Sequence, residues 1–194
     1  MLRATVDLLE EVGYGRLTIE GVAAKADVAK STIYRWWTSK PALVMDAYGY
    51  AVTHRVPEPD TGTVAGDLTA LLTDLYRVGE HPARVRALRG LMAEAQLDPE
   101  FAEAFRNWIE TRRAIVAELL DRAVNRGELP STVDHAVVAD LVFGPFWYRL
   151  LVGHAPLDPR DAAAQADRVL AAARHGLEPP ARMAAGTTRH HGRR

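Results

Sequence analysis

Residues 17–36 read LTIEGVAAKADVAKSTIYRW, and this stretch decides the fold of the N-terminal part of the chain. Thr18 is a good N-cap for a helix that runs to about Ala26, since apolar residues then recur at helical spacing. Residues 27–29 leave room for only a tight turn before a second short helix over 29–36. Two short helices joined in this way predict a helix-turn-helix, whose second helix can enter the major groove of DNA.

The second helix of this motif carries polar side chains suited to a DNA-contacting surface. Its hydroxyl-bearing and cationic residues are Lys30, Ser31, Thr32, Tyr34 and Arg35. Residues 28–45 contain no Asp or Glu, and a carboxylate near a phosphate would repel it. The helix N-terminus also directs backbone N–H groups outward, where they bind phosphate oxygens well. This pattern favours double-stranded DNA as a partner.

Helical patterns continue on both sides of the motif. An amphipathic helix over 1–13 precedes it, and a fourth helix begins after a Ser39 cap with Pro41 in its first turn. Residues 56–62, with two prolines, a glycine and two acids, break the chain. Later helices are predicted over 64–79, 83–96, 98–126, 133–153 and 160–176. No segment alternates like a β-strand, so the predicted fold class is all-α with about nine helices.

Composition and charge narrow the class of protein further. The 194 residues have a net charge of −1 and no cysteine, which excludes a disulfide framework and a thiolate metal site. No apolar stretch reaches about 18 uninterrupted residues, so no membrane span and a cytoplasmic location are expected. The charge balance is +1 over 1–55, −6 over 56–173 and +4 over 174–194. An acidic middle between two non-acidic ends suggests different roles along the chain.

The sequence predicts three parts. Residues 1–55 form a helix-turn-helix DNA-binding domain, and residues 56–176 form a second helical domain. Residues 177–194 have no apolar period and end in basic residues, so they are predicted to be a disordered tail.

Residues 17–26, 28–37 and 39–44 resemble the helix-turn-helix of the TetR family of transcriptional regulators. The matching pattern is a valine, a lysine, a small residue, Thr, an aliphatic residue, Tyr and a second aromatic residue, followed by Ser-Lys. The resemblance covers about the first fifty residues. The remaining five or so helices match the ligand-binding and dimerisation domain of that family more weakly.

The resemblance implies a set of DNA-contacting residues. They are Thr18, Ala29, Lys30, Ser31, Thr32, Tyr34, Arg35, Trp36 and Lys40. Ala29 is available to a thymine methyl, Tyr34 and Trp36 hold the backbone, and Lys40 reaches a phosphate. Arg35 contacts either a guanine edge or a phosphate, and the sequence leaves the two open.

Three departures from the family pattern stand out. The first helix begins almost at Met1, where similar proteins usually have a basic extension. Trp36-Trp37 replaces a smaller aromatic pair, with Trp37 expected in the core. Pro41 stands where an acid is common, which affects the helix cap more than the DNA contact.

The resemblance also implies an effector cavity in the second domain. Its candidate lining is Leu72, Leu75, Tyr76, Leu88, Met92, Phe101, Phe105, Trp108, Phe143 and Trp147. Aromatic residues at helical spacing are more often ordinary core, so each single assignment competes with that interpretation. Pro145 is expected to bend its helix and to leave a carbonyl near Leu141 without its helical partner. Nothing in the sequence names the small-molecule effector.

Dimerisation follows from two apolar helices near the C-terminus. A helix that is apolar nearly all round must be buried on nearly all sides, and a four-helix interface between two copies would achieve this. The candidate interface residues are Val137, Leu141, Leu150, Leu151, Ala163, Ala166 and Leu170. A homodimer would present two reading helices to a palindromic operator.

The sequence carries no sign of catalysis. It has no nucleophile elbow, phosphate-binding loop, dinucleotide fingerprint or zinc-protease motif, and its histidines are isolated. No enzyme activity, cofactor or metal is therefore expected. The function predicted is a DNA-binding transcriptional regulator, a repressor released by an effector. Two alternatives stay open: a helical ligand-binding or interaction bundle that does not use DNA, and a DNA-binding dimer without an effector.

Overall fold

The computed structural model describes residues 1–55 and 58–175. Within them the helices are α1 (Leu2–Val12), α2 (Ile19–Ala26), α3 (Lys30–Trp36), α4 (Lys40–Arg55), α5 (Val64–Tyr76), α6 (Pro82–Glu94), α7 (Pro99–Asn125), α8 (His135–Val152) and α9 (Ala162–His175). Short 3₁₀ turns lie at 14–16, 77–80 and 159–161, and none of the described residues forms a β-strand. The all-α prediction is confirmed.

Helices α1–α4 pack around a small apolar core. Helix α1 lies against α2 and α4, and α2 lies against α3. Leu9, Leu17, Val22, Ile33 and Leu43 are all almost completely buried there. These residues fix the orientation of α3, because a short helix with one buried side chain gains most of its stability from tertiary contact.

Helices α5–α9 form the second group. Helix α5 packs against α7 and α9, and α8 packs against α7 and α9. The two groups meet where α4 contacts α7 and where α1 contacts α6. Buried apolar side chains run continuously from α1 to α9 across these contacts.

A buried carboxylate secures the start of α5. Asp67 is completely buried, and its Oδ1 accepts hydrogen bonds from the backbone N–H and the hydroxyl of Thr61, at 2.6 and 2.8 Å. Arg122 and Arg126 of α7 approach Oδ2 to 3.8 and 3.6 Å. The segment that leads into α5 is therefore held against α7 by charge as well as by apolar contact.

Two predicted helix boundaries differ from the structure for local reasons. The predicted helix over 64–79 tightens into a 3₁₀ turn after Tyr76, and Gly79 comes so close to Leu157 that an added Cβ would lie 2.4 Å from its carbonyl oxygen. The helix predicted from residue 133 starts at His135, because the Asp134 carboxylate caps it by accepting hydrogen bonds from the backbone N–H groups of Ala136 and Val137. The predicted tail over 177–194 lies outside the described residues.

Pro145 lies inside α8, as expected. The carbonyl that loses its helical hydrogen bond to this proline accepts one from a side chain instead. The Leu141 carbonyl accepts a hydrogen bond of 3.2 Å from the side-chain amide of Gln165 on α9. A buried carbonyl needs such a partner, so Gln165 compensates for the proline and joins the two helices.

Helix α8 is long and apolar enough to cross a membrane by length and composition alone, with a mean hydropathy of 1.2. Two charged residues, Asp140 and Arg149, interrupt its apolar sequence. Asp140 pairs with Arg113 of α7, and Arg149 pairs with Asp161. One side of α8 is buried against the chain itself, and these pairs anchor it there.

Candidate DNA-binding surface and ligand cavity

Helix α2 is capped at both of its ends, and its C-terminal cap shapes the turn to α3. The Thr18 hydroxyl accepts a hydrogen bond of 3.0 Å from the Gly21 N–H and so caps α2. Helix α2 ends at Asp27, which has a left-handed φ of 54°, while Val28 N–H bonds back to the Ala23 carbonyl. This 6→1 bond closes a Schellman motif and allows α3 to begin after a turn of three residues.

The predicted DNA-contacting residues lie mostly on one exposed surface, which we call the reading surface. The exposed members are Thr18, Ala29, Lys30, Ser31, Tyr34, Arg35 and Trp36, and the half-buried ones are Thr32 and Lys40. Ile33 is completely buried in the opposite direction and anchors α3 to the core. Helix α3 is thus held by one apolar residue while its polar residues face solvent.

The reading surface is less free of acids than residues 28–45 suggest. Glu20 of α2 accepts a hydrogen bond of 2.9 Å from the Lys30 ammonium, and this contact lowers the pKa of Glu20 and raises that of Lys30. Lys25 is paired in the same way with Glu11, at 2.6 Å. A sequence window of neighbours does not reveal either acid, because both approach from other helices.

Arg35 differs from those lysines. It is exposed in the last turn of α3, and the described residues include no ion-pair or hydrogen-bond partner for it. A guanidinium in this position keeps all its donors for a phosphate or for a guanine edge. Arg35 is therefore the cation of the recognition helix that is most available to DNA.

Lys40 has an intramolecular partner that the sequence did not suggest. Its ammonium lies 4.0 Å from the centre of the Tyr14 ring, and partial burial lowers the pKa of Lys40. Tyr14 in turn makes an edge contact with Phe101 of α7, with ring centroids 4.8 Å apart. Lys40 thus links the start of α4 to a ring that rests on the second group of helices, and a phosphate would compete with that ring.

The two adjacent tryptophans have different surroundings. Trp36 is 69% exposed, which is unusual for so large an apolar side chain and suits a contact with the DNA backbone. Trp37 is half-buried, and its indole N–H donates a hydrogen bond of 2.9 Å to Asp46 on α4. The expected division, with Trp37 on the core side, matches this arrangement.

A partly open cavity of about 170 Å³ lies between α4, α5, α6, α7 and α8. Each of these helices contributes side chains one turn apart, such as Tyr48 and Val52 from α4 and Phe143 and Trp147 from α8. Residues at i and i+4 share a helix face, so each helix presents a single face to the space. Because α4 is part of the wall, an occupant would touch the helix that begins at Lys40.

Half of the predicted effector set lines this cavity. Leu75, Leu88, Trp108, Phe143 and Trp147 are in the wall. Leu72, Tyr76, Met92, Phe101 and Phe105 are not, and their assignment to this cavity is corrected. Four of these five are buried in the core, since the apolar faces of α5 and α7 are wide and only part of each turns toward the cavity. Phe101, for example, packs against Tyr14.

The charged part of the wall was missed by the sequence analysis. It consists of Asp74, Arg77, His81, Arg84 and Arg112. Asp74 pairs with Arg77 at 2.7 Å, and Arg84 lies 3.5 Å from Glu10 of α1. Apolar spacing does not reveal these residues, although Arg112 follows Trp108 by one helical turn and shares its helix face.

The predicted dimer residues fall into two groups. Leu150, Ala166 and Leu170 are at most 3% exposed, so they are corrected to core residues, because α9 packs along α5 and α8 packs against α7 and α9 with those sides. Leu151 and Ala163 are exposed, and Val137 and Leu141 are half-buried. Tyr148 and Val152, each 60% exposed, extend the apolar side of α8 that the described part of the chain leaves uncovered. We call Leu151, Tyr148 and Val152 the apolar face of α8.

Residues 1–55 and 58–175 contain no group of three or more His, Asp or Glu side chains arranged to hold a metal ion. The charged residues of the cavity are mainly arginines, which are not metal ligands.

Two family models match the chain. Residues 1–47 match the one described as "Bacterial regulatory proteins, tetR family", and residues 58–184 match the one described as "Tetracyclin repressor-like, C-terminal domain". Together they span both the reading surface and the cavity.

Individual proteins agree with the family models. The uncharacterized HTH-type transcriptional regulator YdeS of Bacillus subtilis is 37% identical over 154 residues, which are 78% of this chain and 77% of YdeS. The DNA-binding transcriptional repressor TetR of Mycobacteroides abscessus is 30% identical, over 88% of this chain and 90% of that protein. The crystal structure of the TetR family transcription regulator SCO0332 superposes with a TM-score of 0.78 at 37% identity, covering 88% of this chain and 94% of that one.

Proposed function

The chain belongs to the tetR family of bacterial regulatory proteins and is a DNA-binding transcriptional regulator, and we propose that it is a homodimeric repressor released from a palindromic operator by a small-molecule effector. The family membership sets aside the alternative of a helical bundle that does not use DNA. The observation that carries the proposal is the exposed polar surface of α3, held in place by the buried side chain of Ile33.

On the reading surface, different residues have different tasks. Arg35 reaches a phosphate or a guanine edge, while Lys30, Ser31 and Thr32 lie at the end of α3 that enters the groove. The hydroxyl of Tyr34 and the ring of Trp36 support the backbone. Phosphate contacts set the register of the protein on the duplex, and only base-edge contacts select a sequence.

The dimer forms through the apolar face of α8, together with Leu141 and Ala163. Three large apolar side chains exposed along one helix form a patch of the kind that marks protein–protein contacts. Two copies related by a two-fold axis would place their α3 helices about 34–36 Å apart, one turn of DNA, or a multiple of it. A palindromic operator follows from that symmetry.

Release from DNA depends on the position of α4. An occupant of the cavity contacts Tyr48 and Val52, and the same helix carries Lys40 beside the reading surface. An effector that fits one orientation of α4 better than another shifts the population toward it and lowers operator affinity. The cavity also argues against a regulator whose second domain serves only to dimerise, since that alternative favours a closed core.

The division of labour follows the two groups of helices. Helices α1–α4 read DNA, α5–α9 form the dimer and most of the effector cavity, and α4 contributes to both because Tyr48 and Val52 line the cavity. A repressor with this task acts where the chromosome is, so we place it in the cytoplasm with no membrane contact.

A mobility-shift assay on a panel of duplexes of different sequence tests the DNA part. We expect Arg35→Ala to weaken binding to every duplex, and Lys30→Ala to change the order of preference among them. Arg86→Ala, an exposed arginine of α6, serves as the matched control and should bind like the wild type. Unchanged binding by both surface variants would reject the assignment of α3 as the recognition helix.

A further inference from the structure

Arg112 is the arginine of the cavity wall for which the described residues supply no ion-pair partner. It lies on α7, one turn after Trp108, and burial lowers the pKa of its guanidinium. The described residues give it no hydrogen bond and no ion pair, and the more distant influences of the exposed Glu58 and of Tyr48 oppose the effect of burial without cancelling it. A half-buried cation without a direct partner is costly, since desolvation penalises the charge.

The other cations of the wall are already neutralised. Arg77 is paired with Asp74, and Arg84 has Glu10 as its partner. An anion in the cavity therefore finds one guanidinium with all its donors free. A single unpaired cation matches a single negative charge better than a polyphosphate.

The rest of the wall favours a hydrophobic body. Around Arg112 lie the rings of Tyr48, Trp108, Phe143, Phe146 and Trp147. These five rings offer flat apolar surfaces to an aromatic or aliphatic group, and they shield the Arg112 guanidinium from water.

We propose that the cavity binds an amphipathic organic monoanion, with its acidic group on the Arg112 guanidinium and its apolar body between Trp108 and the two α8 residues Phe143 and Trp147. The inference names the chemical class of the effector and therefore rests on the proposed function of the cavity. Its carboxylate or sulfonate accepts two parallel N–H bonds from the guanidinium, the strong bidentate arrangement. A neutral compound of the same shape leaves Arg112 unpaired and binds more weakly.

A pair of fluorescent dyes with the same skeleton tests the charge requirement. The probes are 8-anilinonaphthalene-1-sulfonate and N-phenyl-1-naphthylamine, which differ by the sulfonate. The full-length protein carries Trp36→Phe and Trp37→Phe, so that Trp108 and Trp147 are its only tryptophans. Energy transfer from these two residues reports a dye bound beside α7 and α8, and the dependence of its affinity on Arg112, which lies in the cavity wall and not on the apolar face of α8, assigns the dye to the cavity.

We expect the sulfonate to bind more tightly than the neutral dye, and Arg112→Gln to lower its affinity at least about tenfold while changing that of the neutral dye less than about twofold. Arg112→Lys keeps the positive charge but cannot form the bidentate pair, so it should retain only part of the preference. Arg106→Gln, an exposed arginine on the same helix, is the control that should change neither dye. Circular dichroism establishes that each variant is folded.

Three results would overturn the inference: no energy transfer to either dye, equal affinity for the two dyes, or an equal loss for both in Arg112→Gln. The assay contains no DNA, so its outcome is independent of operator release. A preference for the sulfonate that depends on Arg112, without any effect of the dye on DNA binding, supports the anion site and counts against effector release alone.

Discussion

At the scale of single residues, the cations of the reading surface differ in whether an acid from a neighbouring helix pairs with them. Lys30 shares its proton donors with Glu20, whereas Arg35 has no such partner among the described residues. DNA must therefore compete with Glu20 for Lys30 but not for Arg35. That competition reduces the contribution of Lys30 to the free energy of DNA binding. The Glu20 carboxylate also repels nearby phosphates.

Replacement of Glu20 by Gln is expected to raise DNA affinity severalfold at low salt. The substitution removes a carboxylate from the reading surface and releases Lys30, and the gain should shrink as salt screens the charges. Fluorescence anisotropy of a labelled duplex over a series of salt concentrations measures both effects. Glu118→Gln on α7 is the control, and weaker binding by the Glu20 variant would mean that Glu20 positions Lys30 for its contact.

Local sequence patterns predicted which residues lie on the reading surface better than they predicted which residues line the cavity. The Thr18 cap, the tight turn and the polar side of α3 follow from local patterns, which short helices obey. The partners of Lys30 and Lys40 come from α2 and from the turn before it, and no local pattern contains them. Sequence spacing places a residue on a helix face, but the rotation of that helix in the bundle decides what the face meets.

At the scale of elements, α8 and α9 depend on a side chain that replaces a lost backbone hydrogen bond. Pro145 frees the Leu141 carbonyl, and Gln165 donates to it across the helix pair. The proline could be predicted to disturb the helix, but its compensation lies 24 residues away on another helix.

Gln165→Leu is expected to lower the free energy of unfolding by about 1–2 kcal/mol, because it leaves a part-buried carbonyl without a partner. Urea unfolding followed by circular dichroism measures the change. Gln96→Leu changes an exposed glutamine in the same way and should have little effect. Equal stability of the two variants would show that the Leu141 carbonyl does not need Gln165.

Alanine substitutions at two glycines are expected to change the free energy of unfolding in opposite directions. Gly79→Ala places a Cβ 2.4 Å from the Leu157 carbonyl oxygen, so we expect a loss of about 1–3 kcal/mol. Gly90→Ala adds a Cβ in open space inside α6 and should stabilise by up to about 1 kcal/mol. Thermal unfolding of both variants gives the comparison, and a destabilised Gly90 variant would contradict the packing described for α6.

At the scale of the whole molecule, the sequence predicted that α8 must be covered but not which side. Leu150 faces inward and Leu151 faces outward, a difference of one residue that depends on how α8 rotates against α7 and α9. An apolar helix with one uncovered side is what a dimer needs, and a charged residue on that side should prevent it.

Leu151→Glu is expected to convert the dimer to a monomer and to reduce operator affinity at least about tenfold, since the two reading surfaces are no longer linked. Analytical ultracentrifugation measures the mass, and a mobility shift measures binding. Ala93→Glu introduces the same charge at an exposed position of α6 and should leave the dimer intact. A Leu151 variant that remains dimeric would place the interface elsewhere.

The most direct test of the central claim is the selection of bound duplexes from a pool of random DNA by the full-length protein. The proposed dimer predicts an enriched palindrome, with half-site centres about one turn of DNA or a multiple of it apart. Loss of enrichment with Arg35→Ala would follow from the same account. Enrichment of a single unrepeated site, or of half-sites whose spacing does not follow the helical repeat, would contradict it.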